Sequence, residues 1–281
     1  MERNSIKNNL TKEDIISDIV LSSGADVEKS HVYILVEGES DICLVSSYFT
    51  DNVFLYESYS GKEGVEYIVG EYFSEEDNVI GIRDRDYQLG AISEKIFYYD
   101  YGCMEMMLIS NDEVFSNLCD EYYYGRMRFE ELKKHIFKQL KFLSTIRLYN
   151  EREKLGILLK GVSINEAWEA EAMKLDCKAV LSKISKMNNG HLSKELQQKI
   201  KEEDKREWSD EEYLYNTQGH DFFMLFTVVC NQYRKKAIKS SEAEASARCS
   251  FRKSDMIKTS LYKSIIEYGR IKKLEVININ A

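Results

Sequence analysis

Val32-Tyr33-Ile34-Leu35-Val36-Glu37-Gly38-Glu39-Ser40-Asp41 decides the reading of this chain, together with its later counterpart Val79-Ile80-Gly81-Ile82-Arg83-Asp84-Arg85-Asp86. Each begins as an apolar, β-branched run without alternation, the pattern of a strand covered on both faces. Each then breaks into carboxylates at its C-terminal end, which is where parallel sheets hold their ligands. If the two strands are neighbours, Glu37, Asp41, Asp84 and Asp86 converge on one small volume. Carboxylates gathered in this way need a compensating cation, and hard oxygen donors select Mg2+ or Mn2+.

Working outward, Gly38 permits a tight turn. The segment Asp41 to Phe49 then places Ile42, Val45 and Phe49 at helical spacing. Val53 to Tyr56 reads as a second strand, followed by Ser60-Gly61-Lys62-Glu63-Gly64 and a helix carrying Val65, Ile68, Val69 and Tyr72. Val79 to Ile82 and Ile96 to Tyr99 complete a set of four strands. Strands alternating with helices predict βαβ units, hence an α/β fold with a mostly parallel four-stranded sheet. Upstream, Thr11-Lys12-Glu13-Asp14 has the form of a helix start ahead of Ile15, Ile16, Ile19 and Val20.

After Gly102 the pattern changes. Met104 to Leu118, Phe129 to Asn150, Ile164 to Ser185, Lys194 to Lys205, Asp221 to Lys239 and Arg252 to Glu275 carry apolar residues three and four apart, as amphipathic helices do. Leu274 to Ile279 alternates apolar and polar residues and predicts an edge strand. The expected organisation is a lead-in helix over 1–30, an α/β domain over 31–103 and a largely helical domain over 104–281, packed on the sheet.

With 281 residues, 43% of them hydrophobic, the chain can bury a sizeable core. No stretch approaches the roughly 18 apolar residues of a membrane span, and the polar N-terminal segment lacks a signal-peptide core, so cytoplasmic residence without a membrane role is expected. The 6 cysteines include no C-x-x-C pair, which favours buried, reduced thiols over disulfides or zinc. Charge is distributed unevenly: residues 1–103 hold 8 Lys and Arg against 21 Asp and Glu, whereas residues 234–281 hold 12 against 5. An acidic first part with a basic tail suits a metal site beside a polyanion-binding surface, although a basic helix face is equally a solvated one.

In order along the chain stand Val36-Glu37-Gly38-Glu39-Ser40-Asp41, Gly61-Lys62, Asp84-x-Asp86, Ile96 to Asp100 running into Cys103-Met104-Glu105, and Gln218-Gly219-His220-Asp221. Over about residues 31–101 this resembles the TOPRIM domain of topoisomerases, primases and OLD-type nucleases. The resemblance implies that Glu37 acts as metal ligand or general acid/base, that Asp84 and Asp86 ligate Mg2+ or Mn2+, and that Asp41 matches an acidic position of OLD-type members. The whole order is similar to a bacterial TOPRIM family with a helical C-terminal half, whose members include nuclease effectors of PARIS-type anti-phage defence. Membership would imply a toxic nuclease acting on RNA, transfer RNA in particular, held inactive by an ABC-type ATPase partner. A homodimer in the active state is a further expectation.

Other positions have two readings each. Lys62 can reach a phosphate or stabilise a leaving group, or be an exposed lysine at a helix start. Glu105 can line the site or only favour a helix dipole, and His220 can be catalytic or cap a helix. Arg83 and Arg85 are expected in ion pairs. Tyr122-Tyr123-Tyr124 can stack on bases or pack between helices. A rival to the nuclease is a binding module whose acidic site docks a partner ATPase without turnover. Primase or topoisomerase activity is disfavoured, since no strand-passage tyrosine domain or zinc ribbon is evident.

Overall fold

Every position of Val32–Val36 and of Val79–Arg83 is buried, as expected of strands with both faces covered. They form β1 and β3 at the centre of a parallel sheet completed by β2 (Val53–Glu57) and β4 (Ile96–Tyr98), in the order β2-β1-β3-β4. The fold class is therefore α/β, with helices flanking a four-stranded, all-parallel sheet and a helical C-terminal half. The computed structural model describes residues 11–88, 90–190 and 193–277. Among them no helix is long and apolar enough to cross a membrane.

Contacts divide the chain into two compact units. Of the described residues, the sheet unit draws on 11–85, 90–100 and 253–277, and the helical unit on 86–88, 101–190 and 193–252. The tail from residue 253 thus groups with the sheet, where the sequence pattern alone assigns it to the helical domain. The reason is local: the aromatic rings of Phe97 on β4 and Tyr268 on the last helix meet edge to face at 5.5 Å, and the Tyr268 hydroxyl donates to the Asp77 carbonyl at 2.9 Å.

Within the sheet unit the period of two sorts the side chains. Tyr33, Leu35, Val79, Ile96 and Tyr98 join one core cluster with Ile15, Ile16 and Ile19 of α1 (Lys12–Ala25) and with Val65, Ile68 and Val69. The capping box between Thr11 and Asp14 starts α1 as its sequence predicts. Val65 ends α3 (Gly61–Val65), which continues as a π-helical segment, Glu66–Tyr72, closed by the Phe73 N–H donating to Ile68 at 2.9 Å. Gly81 on β3 lies beneath this segment, and a Cβ built there would stand 2.6 Å from the Val65 methyl. The predicted helix over Asp41 to Phe49 is α2 (Glu39–Val45) followed by a 3-10 turn, Ser46–Tyr48.

In the helical unit, α6 (Phe129–Arg152) is the longest element, and Phe115, Phe137, Phe222 and Phe226 build an aromatic core, with Phe137 and Phe222 centred 5.0 Å apart. Capping residues correct several predicted helices. Periodicity over Met104 to Leu118 predicts one helix, but Asn111 divides it into α4 (Met104–Ser110) and α5 (Asp112–Tyr122) by accepting the N–H groups of Glu113 and Val114. The predicted helix over Ile164 to Ser185 is instead a short turn, a two-stranded hairpin (β5, Trp168–Glu169; β6, Lys174–Leu175) and α7 (Cys177–Met187), which Asp176 caps. α8 (Lys194–Lys205) matches its prediction, and α9 (Asp210–Asn216) has no predicted counterpart.

Similarly, α10 (Gly219–Asn231) ends where the Asn231 side chain brackets the backbone of Ile238, before α11 (Ser240–Ser250). The predicted helix over Arg252 to Glu275 breaks into α12 (Lys253–Met256) and α13 (Ser260–Lys272), the second capped by Thr259. Of the predicted edge strand, Ile277 forms a single antiparallel bridge with Phe49; residues 278 and 279 lie outside the described residues. All 6 cysteines are free thiols, and Cys103, Cys119 and Cys230 are buried, whereas Cys43 and Cys249 are exposed.

Overpacking beneath α3 supplies a test of the sheet core. Gly81→Ala should destabilise the protein by about 1–3 kcal/mol. The cost should appear as a lower urea midpoint at unchanged slope, and an unaltered midpoint would contradict the close approach.

Candidate functional site

Parallel register builds the site. Val36 pairs with Ile82 on one side and with Glu57 on the other, so the residues that follow β1 and β3 emerge at the same sheet edge. There the Asp84 N–H donates to Glu37 Oε1 at 2.8 Å. Gly38 is extended and opens α2, and the Asp41 carboxylate, itself buried, reaches back to accept the Gly38 N–H at 2.9 Å. Glu37, Asp41 and Asp84 are thereby tied through two backbone N–H groups at one edge. Gly61 adopts a left-handed φ of 52°, and a Cβ there would lie 3.8 Å from Glu37 Oε2. Lys62 is the next residue along and is partly buried in the first turn of α3.

Beneath these groups lies Arg83, 2% exposed. It shares the face of Val79 and Gly81, toward the π-helical segment, where Glu66 forms an ion pair with it. Its Nε donates to the Asp84 carbonyl at 2.9 Å and stands 3.9 Å from Glu37 Oε1. A buried guanidinium is tolerated only with such partners, and it offsets part of the negative charge that the edge collects. The expectation of an ion pair is met for Arg83. Arg85 instead lies over the Tyr98 ring at 4.9 Å, and its Nε is buried without a hydrogen-bond partner among the described residues.

Asp86, Glu105 and His220 belong to the helical unit. Asp86 has a left-handed φ of 50° and donates its N–H to Gly102 at 2.7 Å, so the strand does not continue in the extended form that would align its side chain with Asp84. Glu105 occupies the first turn of α4 and packs on Gly219, where a Cβ would stand 2.4 Å from its carboxylate. His220 is exposed, with Nδ1 4.0 Å from Glu244 Oε1. Asp221 is buried and makes a two-pronged ion pair with Arg147 of α6, at 2.6 and 2.9 Å. The Gly219-His220-Asp221 turn thus admits Glu105, faces Glu244 and anchors α10 to α6.

Glu244 and Glu66 escape detection from sequence. Burial, and then the neighbouring Glu105, hold the Glu244 carboxyl above the ordinary carboxylate range, against the lowering influence of His220 and Arg248. The signal available was weak: one acid beside Ala243 and Ala247, the buried face of α11. Glu66 likewise follows directly on the apolar stripe of α3, with nothing in the sequence naming Arg83 as its partner.

Glu37, Asp41 and Asp84 supply only carboxylate oxygens, the donor chemistry that Mg2+ and Mn2+ prefer. These three fit a hard divalent cation by donor type, with Arg83 as a second, resident source of positive charge. Compared with protein-family models and with curated proteins, the chain matches none.

Two ionic features can be tested directly. Asp221→Ala leaves the Arg147 guanidinium unpaired and should cost about 3–5 kcal/mol, measured by chemical denaturation. Because the folded-state pKa of Glu244 is raised, its stabilising protonated form is complete below the unfolded carboxylate pKa and is lost as pH rises through the folded value. Glu244→Gln should therefore raise the thermal midpoint relative to wild type more at neutral than at acid pH. An equal effect at both would contradict the burial of its charge.

Proposed function

We propose that this chain is a metal-dependent nuclease of the TOPRIM type that cleaves phosphodiesters in nucleic acid, RNA above all and transfer RNA in particular. One observation carries the reading: Glu37 and Asp84, each just past a buried strand, meet at the edge of adjacent parallel strands through a 2.8 Å hydrogen bond. The motif order that resembles TOPRIM nucleases adds Asp86 to the ligands. A divalent cation, Mg2+ or Mn2+, held there would supply Lewis-acid polarisation of a phosphoryl oxygen and lower the pKa of a water.

The chain's own groups have distinct tasks in this reading. Asp41 and Asp84 would hold the cation. Glu37, oriented by the Asp84 N–H, either completes the ligand set or moves the proton between the attacking water and the leaving oxygen. Arg83 holds the Asp84 carbonyl and stands beside Glu37, fixing the edge on which they are mounted. Lys62 offers an ammonium for a phosphate oxygen.

The resemblance to AriB, effector of the PARIS anti-phage system, supports a role as toxic effector restrained in the cytoplasm by an AriA-like ABC-type ATPase and dimeric when active. A second reading, a binding module that docks on and regulates such an ATPase, is favoured by the resident Arg83 guanidinium, which counters the charge of Glu37 without a metal.

Incubation of the purified chain with transfer RNA or plasmid separates the two readings. Wild type should cut with Mg2+ or Mn2+ and stop with chelator, and Glu37→Ala should lower the rate by about 10²-fold or more with its fold intact by circular dichroism. Equal cutting by Glu37→Ala sinks the assignment of Glu37. A wild type that stays inert after release from a co-expressed ATPase supports the binding module.

A further inference from the structure

Four tyrosines and one arginine gather where α5 ends, all within the helical unit. The Arg234 guanidinium is pinned by the carbonyls of Glu121 and Tyr122, at 3.2 and 3.4 Å, and lies against two rings, 5.6 Å from the centre of Tyr122 and 5.1 Å from that of Tyr124. Tyr123 meets Tyr233 edge to face at 5.7 Å, and the Tyr122 hydroxyl shares a 2.6 Å hydrogen bond with Ser246. The cluster is built rather than loose, because the Asn231 side chain bonds both the N–H and the carbonyl of Ile238 and so closes the segment that carries Tyr233 and Arg234. Yet Tyr124 is 61% exposed and Tyr233 is 44% exposed.

Cations outnumber acids around the rings. Arg126, Lys235, Lys236 and Lys239 are exposed and make no ion pair among the described residues. The acids in the same stretches are Asp120, Glu121 and Glu242, and Glu242 is occupied in accepting the Lys239 N–H at 2.8 Å. Exposed lysines are unfavourable at the centre of a protein–protein interface, which argues against a protein occupant. Rigid aromatic faces among unpaired cations suit a single strand of nucleic acid, whose bases stack and whose phosphates meet the lysines. A duplex offers phosphates but no free base faces.

We infer that the surface formed by Tyr124, Tyr233 and Arg234, with Lys235, Lys236 and Lys239 beside it, binds single-stranded nucleic acid. The inference rests on the nuclease reading for its biological ligand, and it assigns the helical unit a surface that holds an unpaired stretch of the substrate. Tyr122 and Tyr123 are the inner layer that positions the exposed rings, so the sequence Tyr122-Tyr123-Tyr124 serves both packing and stacking.

The test measures binding of a short, fluorescently labelled single-stranded RNA to the full chain by anisotropy, in chelator so that nothing is cut. Tyr124→Ala combined with Tyr233→Ala should weaken binding by about tenfold or more, and the corresponding double Phe variant should retain it. Replacing Lys235, Lys236 and Lys239 together by Ala should reduce the slope of log affinity against log salt by about 2. The inference is overturned if wild type fails to hold the strand, if the double Ala variant binds as wild type does, or if a duplex binds as tightly as the single strand. Cleavage assayed separately with Mg2+ keeps the two readings apart. Binding that depends on this surface without any cleavage removes the nuclease reading and leaves the surface, whereas cleavage with unchanged KM in the double Ala variant does the reverse.

Discussion

Parallel pairing of β1 with β3 is the constraint on which the candidate site depends. Once Val36 lies beside Ile82, the backbone has no freedom to separate Glu37 from Asp84, and the carboxylate of one accepts the N–H of the other. A shift of one residue would turn Arg83 from the face it shares with Glu66 and would send the apolar set of β3 to the wrong side. Burial of both strands on both faces therefore holds the site in place through the core, with no need for strong contacts among the acids themselves.

Arg83 is the second element of that arrangement. A guanidinium 2% exposed has lost its hydration, and Glu66, the Asp84 carbonyl and nearby Glu37 replace it. Removing one partner of such a set is costlier than never having built it. The charge of the sheet edge is thus partly balanced from within, and a cation bound there would complete a neutralisation that the protein has already begun. In the helical unit Arg147 and Asp221 play the comparable part, tying α6 to α10 at the turn that also brings Gly219 against Glu105.

Strands were more legible than helix ends. An unbroken β-branched run has one stable use in a domain of this size, and each of the four predicted strands is present within a residue of its expected limits. Helical periodicity by contrast reports which face is buried and says little about where a helix stops. Asn111, Asp176 and Thr259 end or begin helices through single side-chain hydrogen bonds that leave the apolar spacing undisturbed. For the same reason one periodic stretch, Ile164 to Ser185, conceals a hairpin.

From the sequence alone came the α/β class, the strand-end placement of Glu37 and Asp84, and the residue types suited to a hard cation, because these follow from periodicity and from the chemistry of single side chains. Tertiary structure alone decided the partners. Glu66 for Arg83, Tyr98 for Arg85, Arg147 for Asp221, Glu244 beside Glu105 and His220, and Tyr122 and Tyr124 against Arg234 all join residues 13 or more positions apart. Such contacts arise from how elements pack, and packing leaves no local periodic trace for a sequence to display.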